Sequence, residues 1–357
     1  MRVRLLLLCL SPSLGGLELH VRDYARWLAA QPGVELWLGL RRGSRLAAAL
    51  ADLPAPRYET IDRTSKLPLA AALRLARFIR ANGIQLVHAH DQRELPLASI
   101  AQRLAPHSGM VFTRHMALGG AKRDPYHRAI YGALDRYVAV SDWIAADSVR
   151  KLPLDPARIV RIYPGTPAVP ALATEQHEVF TVGMVGRILP DKGQHLLIEA
   201  AARLKTQGHR VRVLLAGEIQ DPGYFEALRR TAQDAGLDWQ HLGFVSPPAE
   251  AFRQFDAAVC AGRDEAFGLS TVEAMRHGLP VVAARSGAAP EIVEDGVSGL
   301  LFDAGDAAGL AVKLETLLHD PALRQRLGQA GRERAEREFD AECQFAKLLA
   351  ISRETLS

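Results

Sequence analysis

Short apolar runs alternate with amphipathic helical segments along the first half of the chain. The apolar runs have the length of buried strands, and the segments between them carry apolar residues at helical spacing. This alternation is typical of parallel sheets, because a parallel strand needs a crossover helix to return to the same edge. Strands are predicted at residues 3–10, 34–40, 84–89, 110–113 and 137–140, and helices at 17–30, 67–81, 94–104, 126–134 and 142–150.

A proline-rich segment interrupts the pattern at residues 163–170, which is typical of a linker between domains. A second alternating series follows it. We therefore predict two doubly wound α/β domains, at 1–165 and 179–338, joined by a linker at 166–178. Ligands of such sheets bind at the carboxyl ends of the strands, so the expected site is a cleft between the domains. In the second domain strands are predicted at 179–185, 211–216, 239–243, 257–260, 280–284 and 299–302, and helices at 194–205, 224–235, 249–255, 269–277, 307–318 and 322–338. A further helix is predicted after this domain, at 341–354.

Charge is distributed unevenly between the two halves. Residues 1–170 hold 24 Lys and Arg against 13 Asp and Glu, whereas the remainder is acidic. This asymmetry favours an anionic partner for the first half: a phospholipid surface, an anionic acceptor or nucleic acid. The alternative is a set of Arg-rich solvated helices with no such partner. The three cysteines are far apart and suggest neither a disulfide framework nor a metal site, so a cytoplasmic location is expected. The apolar start of the chain is predicted to be a buried strand rather than a signal peptide, and no run is long enough to span a membrane.

The segment 263–275 carries two carboxylates, Glu265 and Glu273, on either side of the turn formed by Phe267, Gly268 and Leu269. Glu265 precedes a predicted helix and Glu273 lies inside it. A helix N-terminus presents free N–H groups and a positive dipole end, which suit phosphate. Two acids beside such an anion site suit a ligand that carries both hydroxyls and phosphates, as a nucleotide-sugar does. Taken alone, the two acids are equally well explained as solvated surface residues.

A second polar loop, at residues 186–193, lies between a strand and a helix. Arg187 and Lys192 are expected to converge there on one anion, because a guanidinium and an ammonium both bind phosphate oxygens. They would stabilise a diphosphate leaving group without a metal. The alternative is a pair of surface cations in a βα loop.

Three further positions follow predicted strands. Gly15 and Gly16 permit close approach of the backbone to an anion or a sugar, although they also fit a simple tight turn. His115 is placed to hydrogen-bond a substrate hydroxyl or carbonyl. Val245 lies in a loop that would hold a nucleobase or would be a plain strand exit.

His88 and His90 flank Ala89, so one of the two is expected in the core and the other in the cleft. A zinc site formed by His88, His90 and His115 would lack both a fourth ligand and helical spacing. No metal or other cofactor is therefore expected, and the nucleotide diphosphate sugar would be a co-substrate.

Together these motifs resemble the retaining glycosyltransferases of family GT4, which have the GT-B fold of two Rossmann-like domains. Arg187 and Lys192 fit the GR-x4-KG pattern of that family, and Glu265 and Glu273 fit its E-x7-E pattern. The segments 278–283, 287–293 and 296–302 also resemble the family, so the likeness covers nearly the whole chain. Several motifs in the right order are far more specific than any one of them.

The resemblance implies a role for each residue. Arg187 and Lys192 would bind the donor diphosphate, Glu273 the ribose and Glu265 the sugar hydroxyls. The backbone of residues 267–269 would line the sugar and phosphate, His115 would lie at the reaction centre, and Gly16 would lie near the phosphates. Residues 339–357 would form a helix that packs back on the first domain. One departure is Tyr163-Pro164-Gly165-Thr166, which stands where the family often has Asn-Gly followed by Val or Ile.

The expected reaction is therefore transfer of a sugar, with retention, from a nucleotide diphosphate donor to an acceptor hydroxyl. UDP is the expected nucleotide, with GDP and ADP as alternatives. The basic first domain favours a glycolipid or saccharide acceptor of lipopolysaccharide or another bacterial surface glycan, handled by a peripheral enzyme at the inner face of the membrane. Two other functions compete: a nucleotide-sugar epimerase on the same scaffold, and a nucleic-acid-binding protein. The second lacks a known binding motif, and we expect no nucleic-acid partner.

Overall fold

The computed structural model describes residues 3–60, 67–106, 108–171 and 177–356. The chain forms two compact units. Unit 1 consists of Met1–Gly165 together with Ala341–Ser357, and unit 2 consists of Thr166–Asp340. The predicted linker 166–178 lies within the range of unit 2, and its residues 172–176 are outside the described part of the chain.

Unit 1 contains a seven-stranded sheet among its described residues, and every neighbouring pair of strands is parallel. The strand order is β3-β2-β1-β4-β5-β6-β7, so the apolar start of the chain is the central strand. Leu5, Leu6, Leu7 and Leu8 are fully buried there because helices cover both faces. The strands are β1 (Val3–Cys9), β2 (Val34–Arg41), β3 (Arg57–Thr60), β4 (Leu86–Ala89), β5 (Gly109–Arg114), β6 (Arg136–Ala139) and β7 (Ile159–Arg161).

Among the described residues of unit 1, five of the six crossover helices lie where the sequence predicts helices. Two of them begin with a side-chain cap: the Ser141 side chain accepts a hydrogen bond from the amide of Ile144, and the Asp124 side chain accepts one from the amide of His127. The crossover helices are α1 (Gly16–Ala29), α2 (Arg45–Ala49), α3 (Leu69–Ala81), α4 (Leu95–Leu104), α5 (Pro125–Tyr131) and α6 (Asp142–Lys151).

Unit 2 contains a six-stranded parallel sheet among its described residues, in the order β10-β9-β8-β11-β12-β13. This is the doubly wound order, in which the chain reverses direction across the sheet between β8 and β11. Its strands are β8 (Phe180–Val185), β9 (Val211–Ala216), β10 (Asp238–Gly243), β11 (Ala257–Cys260), β12 (Val281–Ala284) and β13 (Leu300–Phe302). Its helices are α7 (Gln194–Thr206), α8 (Pro222–Asp234), α9 (Ala249–Phe252), α10 (Leu269–Arg276), α11 (Ala289–Ile292), α12 (Ala307–His319) and α13 (Pro321–Glu338).

The last helix, α14 (Ala341–Glu354), belongs to unit 1 rather than to the unit that precedes it in the chain. Phe345 is buried against Tyr24 of α1, with the ring centroids 5.2 Å apart. The Trp27 indole N–H donates to Glu342 over 2.6 Å. An apolar anchor and a polar contact thus fix α14 to the face of α1.

Three short elements of unit 1 were missing from the sequence-based prediction: β3, β7 and α2. The two strands lie at the edges of the sheet, with residues that are partly exposed, so they carry no continuous apolar run. Within the described residues, no helix is both long and apolar enough to cross a membrane.

Candidate active site

The chain reversal in the sheet of unit 2 brings two polar loops together. One loop follows β8 and contains Arg187 and Lys192, and the other follows β11 and contains Glu265. Because β8 and β11 are parallel neighbours, both loops leave the same edge of the sheet. The amide of Arg263 donates to the carbonyl of Asp191 over 2.9 Å, which ties the two loops to each other.

At the centre of this region, the Lys192 ammonium donates to the Glu265 carboxylate. The side chains are 27% and 29% exposed, so the pair is partly desolvated but open to a ligand. A small pocket adjoins it, lined in part by Gly186, Lys192, Glu265, Gly268 and Thr271. The arrangement presents one cation, one anion and a helix start to whatever occupies the cavity.

Two glycines allow the backbone segments around the Lys192–Glu265 pair to pack closely. Gly193 has φ +75°, and a Cβ there would lie 2.4 Å from the carbonyl oxygen of Ala261. Gly287 has φ +57°, and a Cβ there would lie 2.3 Å from the carbonyl oxygen of Glu265. Left-handed backbone and close approach both exclude larger residues. The amide of Ala288 donates to that same Glu265 carbonyl over 2.9 Å, which fixes the position of Glu265.

Helix α10 begins beside the cavity at Gly268, and no side chain caps it. Its first amides are therefore available to an anion. Phe267 is 5% exposed and packs edge-on against Phe339, so its ring is not available to a ligand. Cys260 also lines the cavity, and burial raises the pKa of its thiol to about 11, so it is uncharged at neutral pH.

The other predicted donor residues of unit 2 lie in the loops after β8 and β10 and on α10. Arg187 is exposed and donates to the side-chain oxygen of Gln220 over 3.1 Å, whereas Lys192 contacts Glu265. Glu273 is half-buried on α10, and Leu269 is the first residue of that helix. Val245 is half-buried in the loop after β10.

A second polar centre lies in unit 1, where the sheet reverses between β1 and β4. Gly15 precedes α1, and its amide donates to the carboxylate of Glu18 over 2.7 Å. Glu94 is completely buried and accepts three backbone hydrogen bonds, from Leu10, His90 and Asp91, at 2.7, 2.9 and 3.0 Å. Glu94 therefore joins the loop after β1 to the loop after β4.

Four histidines of unit 1 lie close to one another. His90 Nδ1 is 3.0 Å from His115 Nε2, and the rings of His88 and His90 stack with centroids 4.3 Å apart. The His20 ring, from α1, is 5.0 Å from that of His115. Burial lowers the pKa of His20 to about 4 and that of His88 to about 3, and it also lowers the pKa of His90 and of His115. The cluster is therefore uncharged at neutral pH.

Comparison with known proteins identifies the family of this chain. Residues 14–168 match the family model described as Glycosyltransferase Family 4, and residues 172–334 match the one described as Glycosyl transferases group 1. The chain belongs to the family 4 glycosyltransferases. This confirms the family and the GT-B fold that the sequence motifs predict.

Individual proteins resemble this glycosyltransferase over most or part of its length. A D-inositol 3-phosphate glycosyltransferase of Thermobifida fusca is 29% identical over 89% of this chain and 83% of its own. The capsular polysaccharide biosynthesis glycosyltransferase CapM of Staphylococcus aureus is 28% identical over 47% of this chain and 44% of its own. The crystal structure of Anabaena HepE in complex with UDP and glucose shares the fold, with a TM-score of 0.85 and 22% identity over 98% of this chain and 99% of that one.

Sequence reasoning missed two residues of this glycosyltransferase, His20 and Glu94. His20 lies one residue before Val21 on the buried face of α1, next to an apolar stripe, so its helical position alone indicated burial. Glu94 lies three residues after Asp91 in a capping arrangement, a signal that the sequence does contain. Neither residue belongs to a motif of obvious chemistry.

The buried histidines predict a dependence of stability on pH. The pKa of His88 is about 3 in the folded protein, against 6.5 for the free side chain, so below pH 6.5 the unfolded state binds the extra proton. We expect the free energy of unfolding of the wild type, relative to a His88→Asn variant, to fall by up to about 1.4 kcal/mol per pH unit as the pH drops below 6.5. Urea denaturation of both proteins at several pH values, with a chelator present, measures this difference. A difference that does not change with pH would show that His88 is not buried in its neutral form.

Proposed function

We propose that the protein transfers a sugar from a nucleotide diphosphate sugar, with UDP as the nucleotide, to a hydroxyl of a glycolipid or saccharide acceptor. The observation that supports this most is the Lys192–Glu265 pair beside a cavity at the start of α10. A diphosphate and a sugar need a cation and a hydrogen-bond acceptor at adjacent positions, and this pair supplies both.

In this proposal the bound donor separates the pair. The diphosphate takes the place of Glu265 at the Lys192 ammonium, with the first amides of α10 and the Arg187 guanidinium adding further positive charge. Glu265 is then available to accept hydrogen bonds from the sugar hydroxyls, and Glu273 from the ribose. His115 would contact the sugar at the reaction centre, a role that comes from the resemblance alone.

The chemistry would proceed with retention. The bond from the anomeric carbon to the β-phosphate oxygen breaks, and a bond from the same face to the acceptor oxygen forms. The acceptor proton passes to the departing phosphate oxygen, so the leaving group itself serves as the base. Lys192, Arg187 and the helix start stabilise the negative charge that develops on the diphosphate, so the step as written uses no metal.

For the acceptor we propose a glycolipid or saccharide of lipopolysaccharide or another bacterial surface glycan, reached at the inner face of the cytoplasmic membrane. The basic first half of the chain, with a net charge of +11 over residues 1–170, supports an anionic acceptor or surface. A phosphorylated polyol is a second candidate, because the Thermobifida relative is named for inositol 3-phosphate. An acceptor panel should hold both kinds of compound.

A thermal-shift panel of UDP, GDP, ADP and their sugars tests the donor. A ligand at 100 times its Kd stabilises the folded state by about 2.7 kcal/mol, so we expect the midpoint to rise with UDP and its correct sugar. The Lys192→Ala variant should show no shift at the same concentrations. A wild-type protein that none of these nucleotides stabilises would contradict the proposal. Conversion of the donor to another free nucleotide-sugar without any acceptor would instead indicate an epimerase.

A further inference from the structure

Three histidines of unit 1 converge from distant parts of the sequence. His20 comes from α1, His90 follows β4 and His115 follows β5. One ring nitrogen of each lies within 4.8 Å of one nitrogen of the other two, and the closest pair, His90 Nδ1 and His115 Nε2, is 3.0 Å apart. This grouping differs from the His88, His90 and His115 set that the sequence suggests, because His20 takes the place of His88.

The hydrogen bonding of these rings is incomplete. His20 is 4% exposed and His90 is 1% exposed. Among the described residues, neither ring nitrogen of His20 has a hydrogen-bond partner, and His90 Nε2 has none either. A buried polar atom without a partner is uncommon because it loses its hydrogen bonds to water without replacement. A ligand that accepts the lone pair of one nitrogen of a neutral imidazole would remove part of this cost.

We propose that His20, His90 and His115 form a binding site for a transition-metal ion of the Zn²⁺ class. Three neutral imidazoles with an open fourth position are a common ligand set for Zn²⁺. His115 is the most exposed of the three, so a water would reach the open position from its side. His88 would hold the set in place, since it stacks on His90 and its Nε2 is 2.8 Å from Thr113 Oγ1.

A bound metal would affect sugar transfer, and this part of the inference rests on the proposed function. Zn²⁺ would bind His115, the residue that the proposed function places in contact with the donor sugar. A bound metal would therefore inhibit sugar transfer, and a chelator would restore it. The site is a means of inhibition and takes no part in the transfer reaction.

Metal binding itself is measured on the full-length protein after treatment with a chelator. We expect one tightly bound Zn²⁺ per chain by calorimetry, and a tetrahedral Co²⁺ absorption spectrum on replacement of Zn²⁺ by Co²⁺. His20→Ala should weaken binding by at least about 100-fold, more than the loss of an outer hydrogen bond to a ligand causes. Because His20→Ala opens a cavity, His20→Asn provides a second, smaller change with the same expected loss.

A matched control exists in unit 2, where His209, Glu315 and His319 also lie within 4.8 Å of one another. His319→Ala should leave the tight site unchanged. Absence of tight binding in the wild type would overturn the proposal. So would loss of binding on His319→Ala with retention on His20→Ala and His20→Asn.

Inhibition is tested separately from binding. We expect Zn²⁺ to inhibit sugar transfer by the wild type at equimolar concentration, and His20→Asn to stay active in its presence. If no nucleotide or acceptor gives any transfer, the proposed function fails while the calorimetric and Co²⁺ results still decide the metal site. Full activity of a wild-type protein loaded with one Zn²⁺ would overturn the inhibitory role.

Discussion

Lys192→Ala and Glu265→Ala are each expected to reduce sugar transfer by at least about 100-fold, the usual loss for one preorganised charge contact at a reaction centre. The Lys192 ammonium is the partner of Glu265 in the structure and would be the partner of the diphosphate in the complex. Its loss removes the charge that stabilises the leaving group. The loss of Glu265 removes the acceptor for the sugar hydroxyls and leaves Lys192 in place.

The two variants should differ in nucleotide binding. Lys192→Ala should abolish the thermal shift with UDP alone, whereas Glu265→Gln should keep it and lose only the extra shift that the sugar adds. Since the two side chains form one ion pair, the double variant should lose less than the sum of the single losses. Steady-state kinetics with labelled donor measure the rates.

Matched surface changes in the same unit serve as controls. Lys313→Ala on α12 and Glu199→Gln on α7 remove the same charges away from the cavity, and both should transfer sugar at wild-type rates. A near-normal rate in either Lys192→Ala or Glu265→Ala would mean that the pair has no part in the reaction.

Glu94→Ala is expected to cause the largest loss of stability. It leaves the N–H groups of Leu10 and His90, which are buried, and that of Asp91, which is part-buried, without an acceptor. At about 1–3 kcal/mol for each unpaired buried donor, the free energy of unfolding should fall by at least about 2 kcal/mol. Glu94→Gln keeps one carbonyl oxygen and should lose less. Glu18→Ala frees one donor, Gly15, and should lose roughly 1 kcal/mol.

The free energy of unfolding can be measured for unit 1 alone. Three of the four tryptophans, Trp27, Trp37 and Trp143, lie in that unit, and the fourth is Trp239. In a Trp239→Phe background, tryptophan fluorescence during urea denaturation reports unit 1 alone. A denaturation midpoint for Glu94→Ala equal to that of its parent would show that the three amides find water instead.

Much of the fold was predictable because the buried parallel strands are long apolar runs. The central strand β1 and five of the six strands of unit 2 appear where the runs lie, and the edge strand β10 was predicted although it is partly exposed. The short edge strands β3 and β7 were missed, since a strand half open to solvent has no continuous apolar pattern. Hydrophobic periodicity in a sequence arises from burial, so an element that is little buried shows little of it.

The candidate site was predictable to a different extent in each unit. Lys192 and Glu265 belong to spaced motifs, and the structure brings them into direct contact. Their contact depends on β8 and β11 being neighbours, which the motifs alone do not state. The cap at Asp91 and Glu94 and the helical position of His20 are visible in the sequence, but their contacts form only after folding places them beside the loops of β1 and β4. Long-range contacts of this kind leave no local trace in a sequence.

The placement of α14 in unit 1 sets an order for folding during synthesis. Unit 2 is one uninterrupted stretch, Thr166–Asp340, and holds its whole core when residue 340 has left the ribosome. Unit 1 starts earlier but lacks Phe345 and the rest of α14, whose apolar residues belong to its core, until the last residues emerge. The domain that is made first is therefore completed last, and until then the face of α1 around Tyr24 stays exposed to nascent-chain chaperones.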